Sequence, residues 1–515
     1  MTETSALDPV TDEPREAPSP ARWWHRIPPP SAPEVLLAAA VIGWTWYFSV
    51  RSLDIHHALG TATYDSALYD QGMWLLSRFD APFVTLMGRN LFGDHTSFVL
   101  LFLVPLYWIA PGAWIMFTAQ SAAIAAGAIP VFLYGRRRLG SEWLALVGAA
   151  TYLLHPAVSW TNLENFHPDS FAGVFVGFAI YGALERKWRL YAVFVVLSLL
   201  VKEDVSLVVV PLGIWVALRR DRRIGLLTVV GSLAFMAVAM LLIMRSLIGV
   251  PTRNGWRIPF GGPTGLIDTA ITNPTQLVEH LRSDGRPWYL VQMTAPFAWL
   301  FLRLPDVALI SGLVLFTNIL STFWYQYQID YHYSLIAVPA LAMGTIHAIG
   351  AISGRRPSVR GWEVPFGARH VAVAVLAVAS LTGAYLWAPS PLGRTQSWYG
   401  DPGNVYAVSA RELLDDIPGD AVVAAHYRLT PHLAHRMEIY QFPVPFRVVL
   451  YGPDDSMEGT RIDDRAERVE YVMIPVSGDE QMAADWAAID EAFVEVGRND
   501  IWVLYERDRS AALPS

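Results

Sequence analysis

Long apolar runs separated by short arginine-rich turns are the feature that most restricts how this chain can fold. A helix needs roughly 20 apolar residues to cross a bilayer. Such runs begin at residue 34, and the turns between them include GRRRLG (135–140), ERKWR (185–189) and RRDRR (219–223). Hydrophobic residues make up 53% and charged residues 16% of the 515 residues. The sequence therefore predicts an α-helical membrane protein with many spans.

The arginine positions also predict the topology, because cytoplasmic loops collect basic residues. Arg22 and Arg26 place the N-terminus inside, and every arginine-rich turn, including GRRPSVRG (354–361), stays inside only if 97–110 does not cross. We expect that segment to be an external helix on the membrane surface. The predicted spans are 34–53, 113–134, 142–158, 169–184, 190–202, 204–218, 224–247, 288–304, 306–323, 332–351 and 370–388. Eleven spans put the C-terminus outside.

The two ends of the chain have a different composition from the region of the spans, 34–390. Residues 1–33 are rich in Pro, Glu and Ser, which predicts a disordered cytoplasmic tail. From residue 389 onward there are 22 acidic residues against 11 Arg and no Lys, which argues against a nucleic acid partner. Alternating patterns predict an extracytoplasmic α/β domain over 398–507 and a tail over 508–515. Its predicted elements are helices at 406–417 and 479–493 and strands at 421–425, 447–452, 469–476 and 501–507.

Acidic residues follow the first span, in the external region 54–110. In TATYDSALYDQGMW (61–74), Asp65 and Asp70 lie about 140° apart on a helix, so they face different sides. Gln71 lies on the side of Asp65, together with apolar residues, so Asp65 is the better candidate for the protein interior. Asp70 is then a structural or supporting carboxylate. The alternative is that both carboxylates are solvated on an interfacial helix.

Histidines recur in the loops on the same side. Asp94 and His95 could orient a base or bind a metal, although Asp94 could equally cap a helix. His167 follows in HPAVSWTNLENFHPDS (155–170), which also holds Glu164 and Asp169. A divalent ion such as Mg²⁺ or Mn²⁺, held by Asp65, His95 and His167, is one alternative, but no metal-ligand spacing is present.

Lys202 is one of only two lysines in the chain and lies in VKED with Glu203 and Asp204. The two predicted spans around it share about 29 residues, too few for two full crossings, so VKED should be the tip of a short buried hairpin. A buried ammonium either forms a structural pair with these acids or binds a lipid-linked phosphate.

The external loop 249–287 is rich in arginine, against the positive-inside trend. Arg253 and Arg257 could contact a donor phosphate or lipid head groups, or form surface salt bridges. His332 and Tyr333, in YQYQIDYHYSL (325–335), begin a predicted span, where the tyrosines could also be aromatic-belt residues.

The order of these features resembles the GT-C superfamily of membrane glycosyltransferases over about residues 34–505. The motifs YDSALYDQGMW, DHTSFVLLFLVPLYW, NFHPD, VKED, DYHY and IPGDAVVAAHYRLTPHLAHR are similar to those of a family of predicted bacterial membrane proteins with domain of unknown function 2079. The resemblance implies inverting transfer of a hexosyl or pentosyl group from a polyprenyl-phosphate donor to a glycan or protein of the cell envelope. It places the protein in the bacterial cytoplasmic membrane.

In this resemblance Asp65 matches the catalytic base and Lys202 matches a lysine near the donor phosphate. Asp65 is followed by Ser66 rather than by a second acid, which argues against a metal-dependent version. The predicted donor phosphate site also includes Arg253 and Arg257. The predicted substrate pocket comprises Asp70, Gln71, Asp94, His95, His167, Glu203, Asp204, His332 and Tyr333.

Two other classes of function stay open at this point. In a transporter or flippase, the charged VKED residues would line a pathway, and inverted repeats would be expected, but no repeat is visible in the sequence. In a non-catalytic envelope-assembly protein, the external α/β domain would bind the partner.

Overall fold

The computed structural model describes residues 29–352, 358–359, 362–363, 366–396 and 400–514. Residues 1–28 of the predicted cytoplasmic tail lie outside the described residues, as does most of the arginine-rich turn 354–361.

Helices form the membrane part of the described chain. Five are long and apolar enough to cross a bilayer: Ala32–His57, Ala113–Leu139, Arg222–Ile248, His332–Gly350 and Ala368–Trp387. Shorter apolar helices cover Ser170–Leu184, Trp188–Leu199 and Ala308–Leu320. Every predicted span falls on a helical segment, while the total of eleven crossings stays a prediction.

Further helices connect and extend these. The α-helices are Leu68–Ser77, Leu91–Asp94, Val104–Tyr107, Glu142–Leu153, Pro156–Glu164, Ser206–Arg219, Pro263–Thr272, Pro274–Arg282 and Arg286–Thr294. Short 3-10 helices cover Phe98–Phe102, Glu203–Val205, Asn254–Arg257, Ala295–Phe297, Leu300–Arg303 and Trp324–Tyr327. Side-chain caps start several of them; Ser31 and Glu34 form a capping box at the first helix.

Three predicted helices are interrupted. The predicted span 142–158 breaks before Pro156, because the residue before a proline disfavours helical geometry. The span 288–304 breaks after Thr294, where Ala298 and Trp299 have positive φ. The predicted surface helix 97–110 is instead the 3-10 helix Phe98–Phe102 followed by the single α-helical turn Val104–Tyr107. Pro105 lies in that α-helical turn.

Small residues let the membrane helices pack closely, as is usual where lipid supplies no hydrophobic driving force. A Cβ on Gly182 would lie 2.9 Å from the backbone nitrogen of Tyr191, and one on Gly225 would meet the backbone of Ala217. Each of the two helices on either side of Lys202 is thus in near backbone contact with its neighbour in sequence, at the end away from Lys202.

The C-terminal domain contains a five-stranded sheet. Its strands are Val423–Ala425, Ile439–Gln441, Tyr471–Pro475, Phe493–Arg498 and Trp502–Arg507, in the order second, first, third, fifth, fourth. The first strand is parallel to both neighbours, with Val423 opposite Ile439 and Tyr471, and the fifth strand is antiparallel to its two neighbours, the third and the fourth. Helices Val405–Leu414 and Glu480–Ala487 agree with the predicted helices.

Two predicted elements of this domain are wrong. Residues 447–452 are not a strand, because Leu450 and Gly452 have positive φ and turn the chain toward the membrane part, where the amide of Gly452 donates to Met87. The predicted helix 479–493 is too long: the helix ends at Ala487, and Phe493 begins the strand Phe493–Arg498, for which no strand was predicted. The predicted tail packs on the domain, where Leu513 is buried in its core.

One hydrophobic core joins the C-terminal domain to residues 59–117 of the membrane part. It includes Leu68 and Met73 from one side and Leu429 and Trp502 from the other. A small hairpin, Phe83–Val84 with Arg89–Asn90, lies at this boundary. We call the contacts between residues 59–117 and the C-terminal domain the seam.

Candidate active site

A strained turn carries Asp65. Residues Thr63–Ala67 form a π-helical turn in which Asp65 has φ 75° and ψ −71°, a conformation that non-glycine residues rarely adopt. The hydroxyl of Ser66 donates to Asn165 at 2.9 Å, and the hydroxyl of Thr63 lies 2.7 Å from that of Thr430. These contacts hold the strained turn between the loop 165–169 and the C-terminal domain.

Asp65 lies beside a buried cluster of one glutamate and two histidines. Its Oδ1 lies 3.8 Å from Nδ1 of His167, and Nε2 of His167 lies 3.1 Å from Oε2 of Glu164. The same oxygen accepts hydrogen bonds from the backbone nitrogen of His332 at 2.9 Å and lies 3.0 Å from its Nδ1. The two imidazole rings stack with centroids 3.6 Å apart. We call Asp65, Glu164, His167 and His332 the histidine cluster.

The charges of the cluster act on one another. Burial would raise the pKa of Glu164, but His167 and His332 hold it well below its usual range. Burial would lower the pKa of His167, but Glu164 and Asp65 outweigh this and raise it to about 9. Loss of hydration raises the pKa of Asp65, against the lowering effect of His167. A carboxyl whose pKa is raised toward neutrality is suited to accept a proton.

Lys202 lies at the tip of the hairpin, as predicted, and is 4% exposed. Its Nζ lies 3.4 Å from Asp204 and 3.7 Å from Asp169. These two carboxylates compensate the charge of the ammonium group, whose Nζ also lies 5.8 Å from the ring centroid of Tyr333.

His95 is separate from the histidine cluster. Its Nδ1 lies 2.6 Å from Glu203, whose other oxygen accepts from the backbone nitrogen of Thr96 at 3.0 Å. Asp94 is held by Arg89 at 2.7 Å. The expected metal set of Asp65, His95 and His167 is thus not brought together, since His95 already has a carboxylate partner of its own.

A cavity of about 540 Å³ lies beside His95, Glu203 and Asp204. Its polar lining includes His95, Asp169, Glu203, Asp204, Arg257 and Tyr333. Leucine, isoleucine, valine and methionine side chains form much of the remaining wall, among them Met236, Leu266 and Ile336. Arg257 donates to Tyr333 at 3.3 Å, while its buried Nε has no hydrogen-bond partner among the described residues. The cavity thus combines an unsatisfied cationic donor with an apolar wall.

Three predicted site residues face the seam instead. Asp70 is 4% exposed and accepts from Tyr107 at 2.8 Å, with His435 at 2.9 Å. Gln71 bonds to Thr85 and to the backbone of Arg436. Arg253 bonds to Gly452 and Asp455 of the C-terminal domain.

Sequence reasoning did not assign Glu164 or Asp169 to the site. Glu164 precedes His167 by three residues at a helix end, and this E-x-x-H spacing is the signal that could have found it. Nothing local marks Asp169 as the partner of Lys202, because the contact joins residues 33 positions apart.

Solved structures show which class of fold this is. ArnT from Cupriavidus metallidurans in the apo state matches with a TM-score of 0.56 at 13% identity, over 93% of this chain and 99% of that chain. Its structure bound to undecaprenyl phosphate matches with a TM-score of 0.50 at 14% identity, over the same shares. The arabinofuranosyltransferase AftD from Mycobacteria matches with a TM-score of 0.44 at 14% identity, over 92% of this chain and 40% of that chain. The chain therefore shares its fold with ArnT, which is consistent with the GT-C-like fold that the resemblance implied.

The family is established by the sequence itself. The model of the predicted membrane protein family DUF2079 matches residues 55–497, and the chain belongs to this family. No curated protein matches the sequence significantly.

Proposed function

We propose that the chain is an inverting glycosyltransferase that uses a polyprenyl-phosphate-linked sugar at the outer face of the bacterial cytoplasmic membrane. The acceptor is a glycan or protein of the cell envelope. The observation that carries this proposal is a cavity that combines Arg257 with an apolar wall and adjoins the histidine cluster of Asp65, where the ring centroid of His332 lies 4.0 Å from that of Tyr333 in the cavity lining.

Asp65 acts as general base. It takes the proton of an acceptor hydroxyl while that oxygen forms a bond to the anomeric carbon of the sugar. The bond from this carbon to the lipid phosphate oxygen breaks on the opposite face, and the electron pair leaves with the phosphate. The configuration at the anomeric carbon is thereby inverted.

Arg257 and Lys202 stabilise the departing phosphate. The buried Nε of Arg257 has no hydrogen-bond acceptor among the described residues, and a phosphate oxygen would supply one. Lys202 does not line the cavity itself. It pairs with Asp169 and Asp204, which do, and adds positive charge next to them. The apolar wall accommodates the first isoprene units, so the lipid chain does not have to leave an apolar environment.

The comparisons support the lipid carrier. ArnT, which has the same fold, has been solved with undecaprenyl phosphate. A donor of this class would enter the cavity of the present chain from the membrane.

A transfer assay tests the proposal. Membranes that contain the protein are incubated with radiolabelled polyprenyl-phosphate hexose or pentose, and label in envelope glycan and protein is counted. Asp65→Asn should reduce turnover by about 10²- to 10⁴-fold, the usual contribution of a general base. Arg257→Ala should also reduce it, mainly by weakening donor binding.

Asp80→Asn is the matched control, because Asp80 belongs to the same segment and is exposed. Its turnover should equal that of the wild type. Full turnover of Asp65→Asn would refute the role of Asp65 as base, and absence of transfer from every lipid-linked donor would refute the proposed reaction.

A further inference from the structure

We propose that Glu164, His167 and His332 bind one transition-metal ion of the zinc class. These three residues form a group in which one ligand atom from each lies within 4.8 Å of the others. The site differs in its residues from the Asp65, His95 and His167 set, and in its chemistry from a magnesium site.

The distances suit a metal. Oε2 of Glu164 lies 3.1 Å from Nε2 of His167 and 3.0 Å from Nδ1 of His332. Nitrogen and oxygen ligands lie about 2.0–2.1 Å from zinc, and at tetrahedral angles two such ligands are about 3.3 Å apart. Small side-chain movements would therefore bring all three atoms to one ion.

An unsatisfied nitrogen points into the group. The side chain of His167 is 2% exposed. Its Nε2 is buried, and although it lies close to Glu164 it makes no hydrogen bond within the described part of the chain. The backbone nitrogen of His332 fixes Glu164. A buried nitrogen that lies 3.1 Å from a fixed carboxylate oxygen without a hydrogen bond to it is what a site for an ion between the two atoms would show.

The donor set selects the metal. Two imidazoles and one carboxylate suit zinc, cobalt or iron, whereas magnesium and calcium require oxygen ligands. Three protein ligands leave a fourth position for water or substrate. Asp65 would face the second nitrogen of His167, at 3.8 Å, which is the usual place of a carboxylate that orients a metal-bound imidazole. The ion would thus fix the ring that lies against the proposed base.

Co²⁺ binding tests the site directly. The full-length protein, purified in detergent, is stripped with a chelator and titrated with Co²⁺, whose visible absorption reports tetrahedral nitrogen and oxygen ligation. Bound Zn²⁺ is measured separately by mass spectrometry after equilibration and desalting. We expect about one ion per chain, as in a single four-coordinate site.

His167→Ala, His332→Ala and Glu164→Gln should each reduce bound metal at least tenfold. His95→Ala is the matched control and should retain it, because His95 lies on Glu203 outside the group. Added Zn²⁺ should raise the thermal midpoint of the wild type and of His95→Ala, but not that of the ligand variants.

Absence of tetrahedral Co²⁺ absorption in the wild type would overturn the proposal and leave the group a buried ion pair. Undiminished metal in folded His167→Ala and His332→Ala would overturn it equally. Binding is measured without any sugar donor, so its result is independent of that of the transfer assay.

Discussion

Asp65 of the histidine cluster and Asp70 of the seam lie in the same short stretch of sequence, yet their carboxylates have different partners. Asp65 belongs to the cluster, where its side chain is 35% exposed and lies 3.8 Å from His167 without a hydrogen bond from it. Asp70, five residues later, belongs to the seam, where its Oδ1 has two hydrogen-bond partners, Tyr107 and His435. In the cluster, the buried Nε2 of His167 makes no hydrogen bond within the described residues, whereas Asp70 joins Tyr107 on one side of the seam to His435 on the other.

Packing shows the same contrast. At the seam, Gly88 has φ 69° and packs against the ring of Tyr451, so the backbone itself is the contact surface. Trp74 stacks on His435 with an angle of 8° between the rings. Substitutions at the seam should therefore lower stability, while substitutions in the cluster should lower activity.

The largest loss of stability is expected for Asp70→Ala. It leaves the buried hydroxyl of Tyr107 and the imidazole of His435 without their acceptor, which should cost about 3 kcal/mol. The measurement is the unfolding midpoint in detergent, with exposed Asp80→Ala as control. Transfer by the fraction that stays folded should persist. Loss of transfer at unchanged stability would assign Asp70 to the substrate site rather than to the seam.

Gly88→Ala comes next, with an expected loss of about 2 kcal/mol. The new methyl group would clash with Tyr451, and the positive φ adds strain. Tyr451 cannot easily move, because its hydroxyl accepts from Arg465 at 2.6 Å. Gly459→Ala is the control: it has a similar φ of 77° but open space around it, so it should lose only about 1 kcal/mol. Equal losses in the two variants would show that the contact with Tyr451 contributes nothing.

Acid should loosen the contact between His432 and the end of the first helix, next to the seam. Burial lowers the pKa of His432 to about 4, and His57 and Arg411 act in the same direction; the His56 ring stacks on it at 4.3 Å. An unfolded histidine has a pKa near 6.5, so the unfolded state binds the proton first. The contribution of His432 to stability is therefore complete above about pH 6.5 and is lost as the pH falls toward 4.

The check compares unfolding midpoints of the wild type and His432→Gln between pH 7.5 and pH 4.5. The wild type should lose about 1–2 kcal/mol more than the variant over this window. If the unfolding midpoints of the wild type and of His432→Gln fall equally between pH 7.5 and pH 4.5, His432 is protonated in the folded protein as readily as in the unfolded one.

The smallest effect is expected for Thr63→Val. It removes the 2.7 Å hydrogen bond to Thr430 and should cost about 1 kcal/mol. Exposed Thr275→Val is the control and should be neutral. Because Thr63 is close to Asp65 in sequence, a fall in transfer without a fall in stability would show that the seam also sets the geometry of the base.

The amino-acid sequence alone was enough to predict the membrane class, the helical segments and a C-terminal region that mixes helices and strands. Span length and arginine placement are local properties of the chain, and the bilayer acts on them directly. It also indicated Asp65, Lys202, His167 and His332 as candidates, because polar residues in an apolar chain are costly and need a reason.

Tertiary structure decided which of these residues meet. Glu164 joins His332 across 168 positions, Lys202 joins Asp169, and His95 joins Glu203 instead of His167. The strained conformation of Asp65 and the turn that replaces the predicted strand 447–452 also depend on contacts with distant residues. Ion pairs and strained turns are stabilised by partners that are far away in the chain, so local patterns predict that such residues matter but not what they contact.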